Sequence, residues 1–211
     1  IGDLVFANSA STVCETGNIL SIKRFSETTM EVSTGQILET SHKFDITQTL
    51  EGYLERIYKK TASVFETAAE TGGIISGCSE ETIKLLKSYG YNLGMAFQII
   101  DDILDFEGDP YQFGKPVGQD LDQGLLTLPS LLYLEKFPNE TSIHTLFNGT
   151  DSVNSKSKII NEILNSEIIN DCYIKAQNYC NESKNLLERL PNSEEKDSLN
   201  LLLDYVIERK Q

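Results

Sequence analysis

Leu93-Gly94-Met95-Ala96-Phe97-Gln98-Ile99-Ile100-Asp101-Asp102-Ile103-Leu104-Asp105 is the stretch on which the reading of this chain turns. Its first part is apolar enough to form a buried helix, yet it runs directly into carboxylates. Acidic groups ending such a helix are costly unless something positive neutralises them. Positions four apart share a helix face, so Asp101 and Asp105 can converge on one ion, with Asp102 about 100° away. Carboxylate oxygens are hard ligands, and one or two of them with a substrate phosphate is the usual way to hold Mg²⁺. A solvated acidic helix end is the competing reading. The apolar lead-in, Gln98 and the nearby Gly114-Lys115-Pro116 weigh against it, and Lys115 stands where it could meet the same phosphate.

Outward from this stretch the chain reads as helix nearly throughout. Asp3 to Glu15 forms an apolar helix stopped by Gly17-Asn18, and Ile19 to Glu39 a second. Thr47 or Thr49 caps a third, Leu50 to Gly72. Ser79 caps the longest, Glu80 to Phe106, with Glu80 and Glu81 at the positive end of its dipole. Gly90 and Gly94 share a face of that helix, where glycine is normally disfavoured, and are expected to admit a neighbouring helix closely. Asp120 is read as the cap of a helix from Leu121 to Glu135. Asn139 to Ser157 is polar and variable in character. Lys158 to Leu190, interrupted near Ser166, and Ser193 to Arg209 complete an all-α chain without repeats or strand-like alternation.

Bulk properties set limits. The 211 residues suit one domain, residues 1–211, with a sizeable core. A net charge of −14 and a pI near 4.5 argue against a nucleic-acid partner and against simple docking on an anionic membrane. No run of apolar residues is long enough for a transmembrane helix, and cytoplasm is the default location. Cys14, Cys78, Cys172 and Cys180 have no CxxC spacing and read as ordinary thiols. His42 and His144 have no partner spacing.

These motifs resemble the trans-isoprenyl diphosphate synthase, or polyprenyl synthase, family. Gly94 to Phe106 is similar to its second aspartate-rich motif, and the likeness continues through Gly114-Lys-Pro-Val-Gly-Gln-Asp-Leu to Gly124-Leu-Leu-Thr-Leu-Pro. Tyr58-Lys-Lys-Thr-Ala resembles its lysine–threonine diphosphate site, Gly2-Asp3-Leu-Val-Phe-Ala a helix start well before it, and Leu203-Asp-Tyr-Val-Ile-Glu-Arg its C-terminus. The resemblance implies an isoprenoid-synthase helical bundle that elongates an allylic diphosphate with isopentenyl diphosphate, with Mg²⁺ as cofactor and a homodimer as the assembly. It implies Asp101 and Asp105 as metal ligands, with Asp102 acting through water or from behind them. Lys60 and Lys115 would meet the allylic diphosphate, the Thr61 hydroxyl donating alongside, and Gln98 would bond a diphosphate oxygen or orient a water. Asp120 also matches a recurring family position. The run of residues looks more like the long-chain, quinone side-chain synthases than the farnesyl synthases.

One expected element is missing. The family carries a first aspartate-rich motif ahead of the Gly-Asp helix, whereas this sequence opens at Ile1-Gly2-Asp3 and holds a single DDxxD. The expectation is therefore an N-terminally truncated bundle, incompetent alone to ionise the allylic substrate. Two rivals stand beside it. One is a non-catalytic regulatory subunit, against which an intact DDILD counts. The other is a terpene cyclase of related fold, against which the Gly-Lys-Pro and Thr-Leu-Pro elements count.

Overall fold

A computed structural model describes residues 1–108, 117–150 and 152–209, and no strand occurs among them. The helices are α1 Gly2–Glu15, α2 Ile19–Ser41, α3 Leu50–Ile57, α4 Ser63–Ile75, α5 Glu80–Glu107, α6 Gln119–Asp122, α7 Leu128–Lys136, α8 Ser142–Phe147, α9 Ser152–Leu164, α10 Ile168–Leu187 and α11 Glu194–Glu208. The starts follow side-chain capping. Asn18, Thr49, Ser79 and Ser193 each accept a backbone N–H from the first turn of α2, α3, α5 and α11. Gly17, with φ at +62°, turns the chain between α1 and α2.

The long helix α5 is the axis of the bundle, packed between α4 on one side and α10 on the other. Met95, Ile99, Ile100 and Ile103 are sealed in the core with Tyr53 of α3, Leu128 and Tyr133 of α7, and Ile159 of α9. Each such side chain contributes ~1.5–3 kcal/mol by leaving water. This sheath is what carries the apolar half of α5 to its acidic end. Gly90 and Gly94 meet the expectation of close approach. A Cβ on Gly94 would lie 2.5 Å from Ala62 Cα, and one on Gly90 2.5 Å from the Phe65 carbonyl.

Two spans depart from their sequence reading. The helix expected over Leu50 to Gly72 is broken by a π-helical turn, Tyr58–Ala62. One extra residue in a turn shifts everything after it by about 100° of helix phase. The helix expected over Leu121 to Glu135 is two pieces, because Gly124 turns with φ at +75° and its carbonyl accepts the Phe44 N–H at 2.8 Å.

Candidate functional site

The C-terminal half of α5, the π-turn and the start of α6 surround a cleft of about 320 Å³. Lys60, Thr61, Gln98, Asp101 and Asp102 line it, all named from sequence, together with Glu39, Arg56 and Asp120. Lys115 lies outside the described residues. Asp105 is drawn to the α6 end, where its two oxygens accept the N–H groups of Gln119 and Asp120 at 3.0 and 3.1 Å. It thus anchors the first turn of α6, the place that sequence reading gave to Asp120.

The aspartates occupy three different environments. Asp101 is half exposed and pairs with Arg209 Nη2 at 2.9 Å, while that guanidinium lies 4.5 Å over the Phe97 ring. Asp102 is only 3% exposed. Its Oδ2 accepts the Tyr53 hydroxyl at 2.7 Å and its Oδ1 accepts Gln98 Nε2 at 2.8 Å. Burial, with Asp120 nearby, pushes its carboxyl up to about 8 against the pull of those two hydrogen bonds. Burial also raises Asp105. Burial, then the charges of Asp105, Asp101 and Glu39, raises Asp120 to about 7. Carboxylates crowded into one desolvated cleft and resisting ionisation form an electrostatic setting that a cation relieves.

Positive charge is present but engaged. Lys60 Nζ sits 2.6 Å from Glu39 Oε2. Buried Arg56 donates to Gln48 Oε1 at 2.7 Å and to the Leu126 carbonyl at 2.6 Å. The Thr61 hydroxyl donates to Gln98 Oε1 at 2.7 Å, so its single proton is already committed in this arrangement. Sequence reading missed Arg56, Glu39, Tyr53 and Arg209. Arg56 stands four residues before Lys60, a shared-face spacing that could have found it. Tyr53 precedes Arg56 in α3 and Arg209 closes the C-terminal match, yet neither carries a signal of its contact, and Glu39 comes from a separate helix.

The donor set suits a hard divalent ion in part. Asp101 lines the cleft with one oxygen in the Arg209 pair, Asp105 is committed to the α6 amides, and phosphate oxygens commonly complete such a site. Among the described residues no group of three or more acidic, histidine or cysteine side chains closes a metal cage by itself. Asp101 and Asp105, the ligands the sequence suggests, would therefore need phosphate oxygens to complete an ion's shell.

An all-helical bundle whose central helix ends in a desolvated aspartate cluster, facing lysine and arginine across a cleft, belongs among the all-α isoprenoid-synthase folds. The chain is a member of the polyprenyl synthetase family, whose model matches residues 1–164. It is 35% identical to heptaprenyl diphosphate synthase component 2 of Geobacillus stearothermophilus over 208 residues, covering 99% of this chain and 65% of that protein. It is 40% identical to octaprenyl diphosphate synthase of Escherichia coli over 131 residues, covering 62% of this chain and 41% of that one. A polyprenyl synthase from Caulobacter crescentus, crystallised with calcium and isoprenyl diphosphate, superposes with a TM-score of 0.92 at 26% identity, covering all of this chain and 65% of that one. A decaprenyl diphosphate synthase from Rhodobacter capsulatus gives 0.89 at 28% identity, covering 98% and 65%. The match thus spans between 41% and 65% of the length of these relatives.

Proposed function

We propose that this chain carries the second-aspartate half of a prenyltransferase that elongates an allylic diphosphate with isopentenyl diphosphate. In that reaction the allylic C–O bond breaks and releases pyrophosphate. The carbocation alkylates the double bond of isopentenyl diphosphate, and a proton then leaves the new chain. The observation that carries the reading is the convergence of Lys60, Thr61, Gln98, Asp101 and Asp102 on one cleft, in a chain of the polyprenyl synthetase family.

Lys60 and Arg56 would stabilise the departing diphosphate by charge, with Lys115 beside them as the sequence suggests. Asp101 and Asp105 would hold Mg²⁺, which when bound neutralises developing pyrophosphate charge. Thr61 and Gln98 line the cleft side by side, the Thr61 hydroxyl donating to Gln98 Oε1, and their oxygens would lie beside the developing cation. Two copies pairing through the apolar faces of α1 and α2 would form a homodimer, and cytoplasm is the proposed location. No helix among the described residues is long and apolar enough to cross a membrane. The names of relatives, heptaprenyl and octaprenyl among them, favour a long-chain product.

The test is incorporation of labelled isopentenyl diphosphate onto farnesyl diphosphate with Mg²⁺. It is run on this chain and on the chain joined to whatever coding sequence adjoins it. A ladder of products lost in Asp101→Ala supports prenyl transfer and gives its length. Retained Mg²⁺-dependent pyrophosphate binding without turnover in either form would leave a regulatory subunit.

A further inference from the structure

Tyr53 does not line the cleft, yet the geometry points to it as a positioning residue for the reaction proposed above, on which this inference rests. It sits on α3, two residues before Glu55 and 1% exposed, with its ring among core side chains and the Arg56 guanidinium 5.6 Å from its centroid. A phenylalanine would fill the same apolar space. The hydroxyl is therefore there for a partner, since a buried phenol without one is costly. That partner is Asp102 Oδ2 at 2.7 Å.

The contact fixes more than Asp102. With Oδ2 taken up by the Tyr53 hydroxyl, Oδ1 is the oxygen left to Gln98. Gln98 turns its Nε2 to that oxygen, at 2.8 Å, and its Oε1 the other way. Thr61 completes the chain by donating to that Oε1 at 2.7 Å. A hydroxyl on the dry side of the helix thus sets which end of Gln98 meets Asp102 and which meets Thr61. Without it the carboxylate is free to rotate, and a flipped Gln98 would present N–H where the developing cation needs oxygen.

Three readouts test this in the 211-residue chain and in any longer form that turns over. The first is the side-chain amide signal of Gln98 in protein labelled with ¹⁵N-glutamine, assigned by its loss in Gln98→Met. It should move in Tyr53→Phe and shift in graded order with fluorinated tyrosines placed at 53, which keep the shape but donate more strongly. The second is kinetic: Tyr53→Phe should lower kcat roughly 10- to 100-fold with KM for isopentenyl diphosphate within about twofold, the mark of lost orientation and not of lost binding. The third is pyrophosphate binding, which should not change. An unmoved Gln98 signal overturns the proposal, as does a raised KM at constant kcat. If Tyr53→Phe does not fold, the fluorinated series decides alone. Absence of turnover in the unsubstituted longer form sinks the prenyl-transfer reading, whereas the amide signal in the 211-residue chain still decides whether Tyr53 orients Gln98.

Discussion

Asp101 and Asp102 are neighbours in sequence with opposite surroundings, and each makes its own prediction. Arg209 holds Asp101 at a half-exposed site, where an ion pair is worth about 1 kcal/mol or less. Arg209→Ala should therefore tighten Mn²⁺ binding, read by its paramagnetic resonance signal, by no more than about fivefold. Weaker binding would mean that the arginine helps to build the site. Asp102 and Asp120 are raised to about 8 and 7 from an ordinary 3.8. Between those limits the unfolded chain has released protons that the folded chain keeps, so stability falls as pH rises through the window. Metal-free protein should melt higher at pH 6 than at pH 8, and Asp102→Asn should shrink the gap. Glu140, lowered to about 2, acts in the opposite sense, but only below the ordinary carboxylate range. A higher melting point at pH 8 would show that the cluster ionises freely in the fold.

At the scale of elements, glycine decides how close the helices come. Gly94→Ala would press a Cβ to 2.5 Å of Ala62 Cα, beside Thr61 in the π-turn. Overpacking of about 1–3 kcal/mol outweighs the roughly 1 kcal/mol that alanine gains in a helix. Gly72→Ala, with no atom within 4 Å of its added carbon, should instead stabilise by up to about 1 kcal/mol. Urea unfolding of the two variants reads both signs, and equal effects would refute the close approach. Much of this level was legible in sequence. The cap at Ser79, the cap narrowed to Thr47 or Thr49 and found at Thr49, and the paired glycines of α5 are local signals that the sequence carries. The π-turn was not, because Tyr58-Lys59-Lys60-Thr61-Ala62 has ordinary helix composition, and the extra residue is imposed by packing against Gly35 and Gly94. The cleft was half legible: motif residues stood out, whereas Glu39 reaches it, and Tyr53 and Arg209 reach its aspartates from outside it, only through tertiary folding.

At the scale of the molecule, acidity and apolar exposure pull against each other. Helix α1 buries none of its residues; Leu4 is 73% and Phe6 51% exposed, with Ile19, Leu20 and Met30 of α2 also open. Phe6 stacks on Phe25, and a groove of about 690 Å³ runs between α1, α2 and α4 past Val13, Val32 and Val64. An apolar surface of this extent is ordinarily covered by a partner. A second copy would need a face complementary to itself under two-fold symmetry, and a continuous helix pair supplies one. The charge of −14 on each copy opposes that pairing. Salt screens the repulsion and leaves apolar contact intact, so sedimentation should show a dimer that tightens between 0.05 and 0.5 M NaCl, roughly the range over which the Debye length drops below 10 Å. An interface made of ion pairs would loosen over the same range. Leu4→Glu with Leu20→Glu should return the chain to monomer at either salt, without altering pyrophosphate binding at the acidic cleft, which neither residue lines. A chain that sediments as monomer at every concentration and salt would refute self-pairing and leave the face to a different polypeptide.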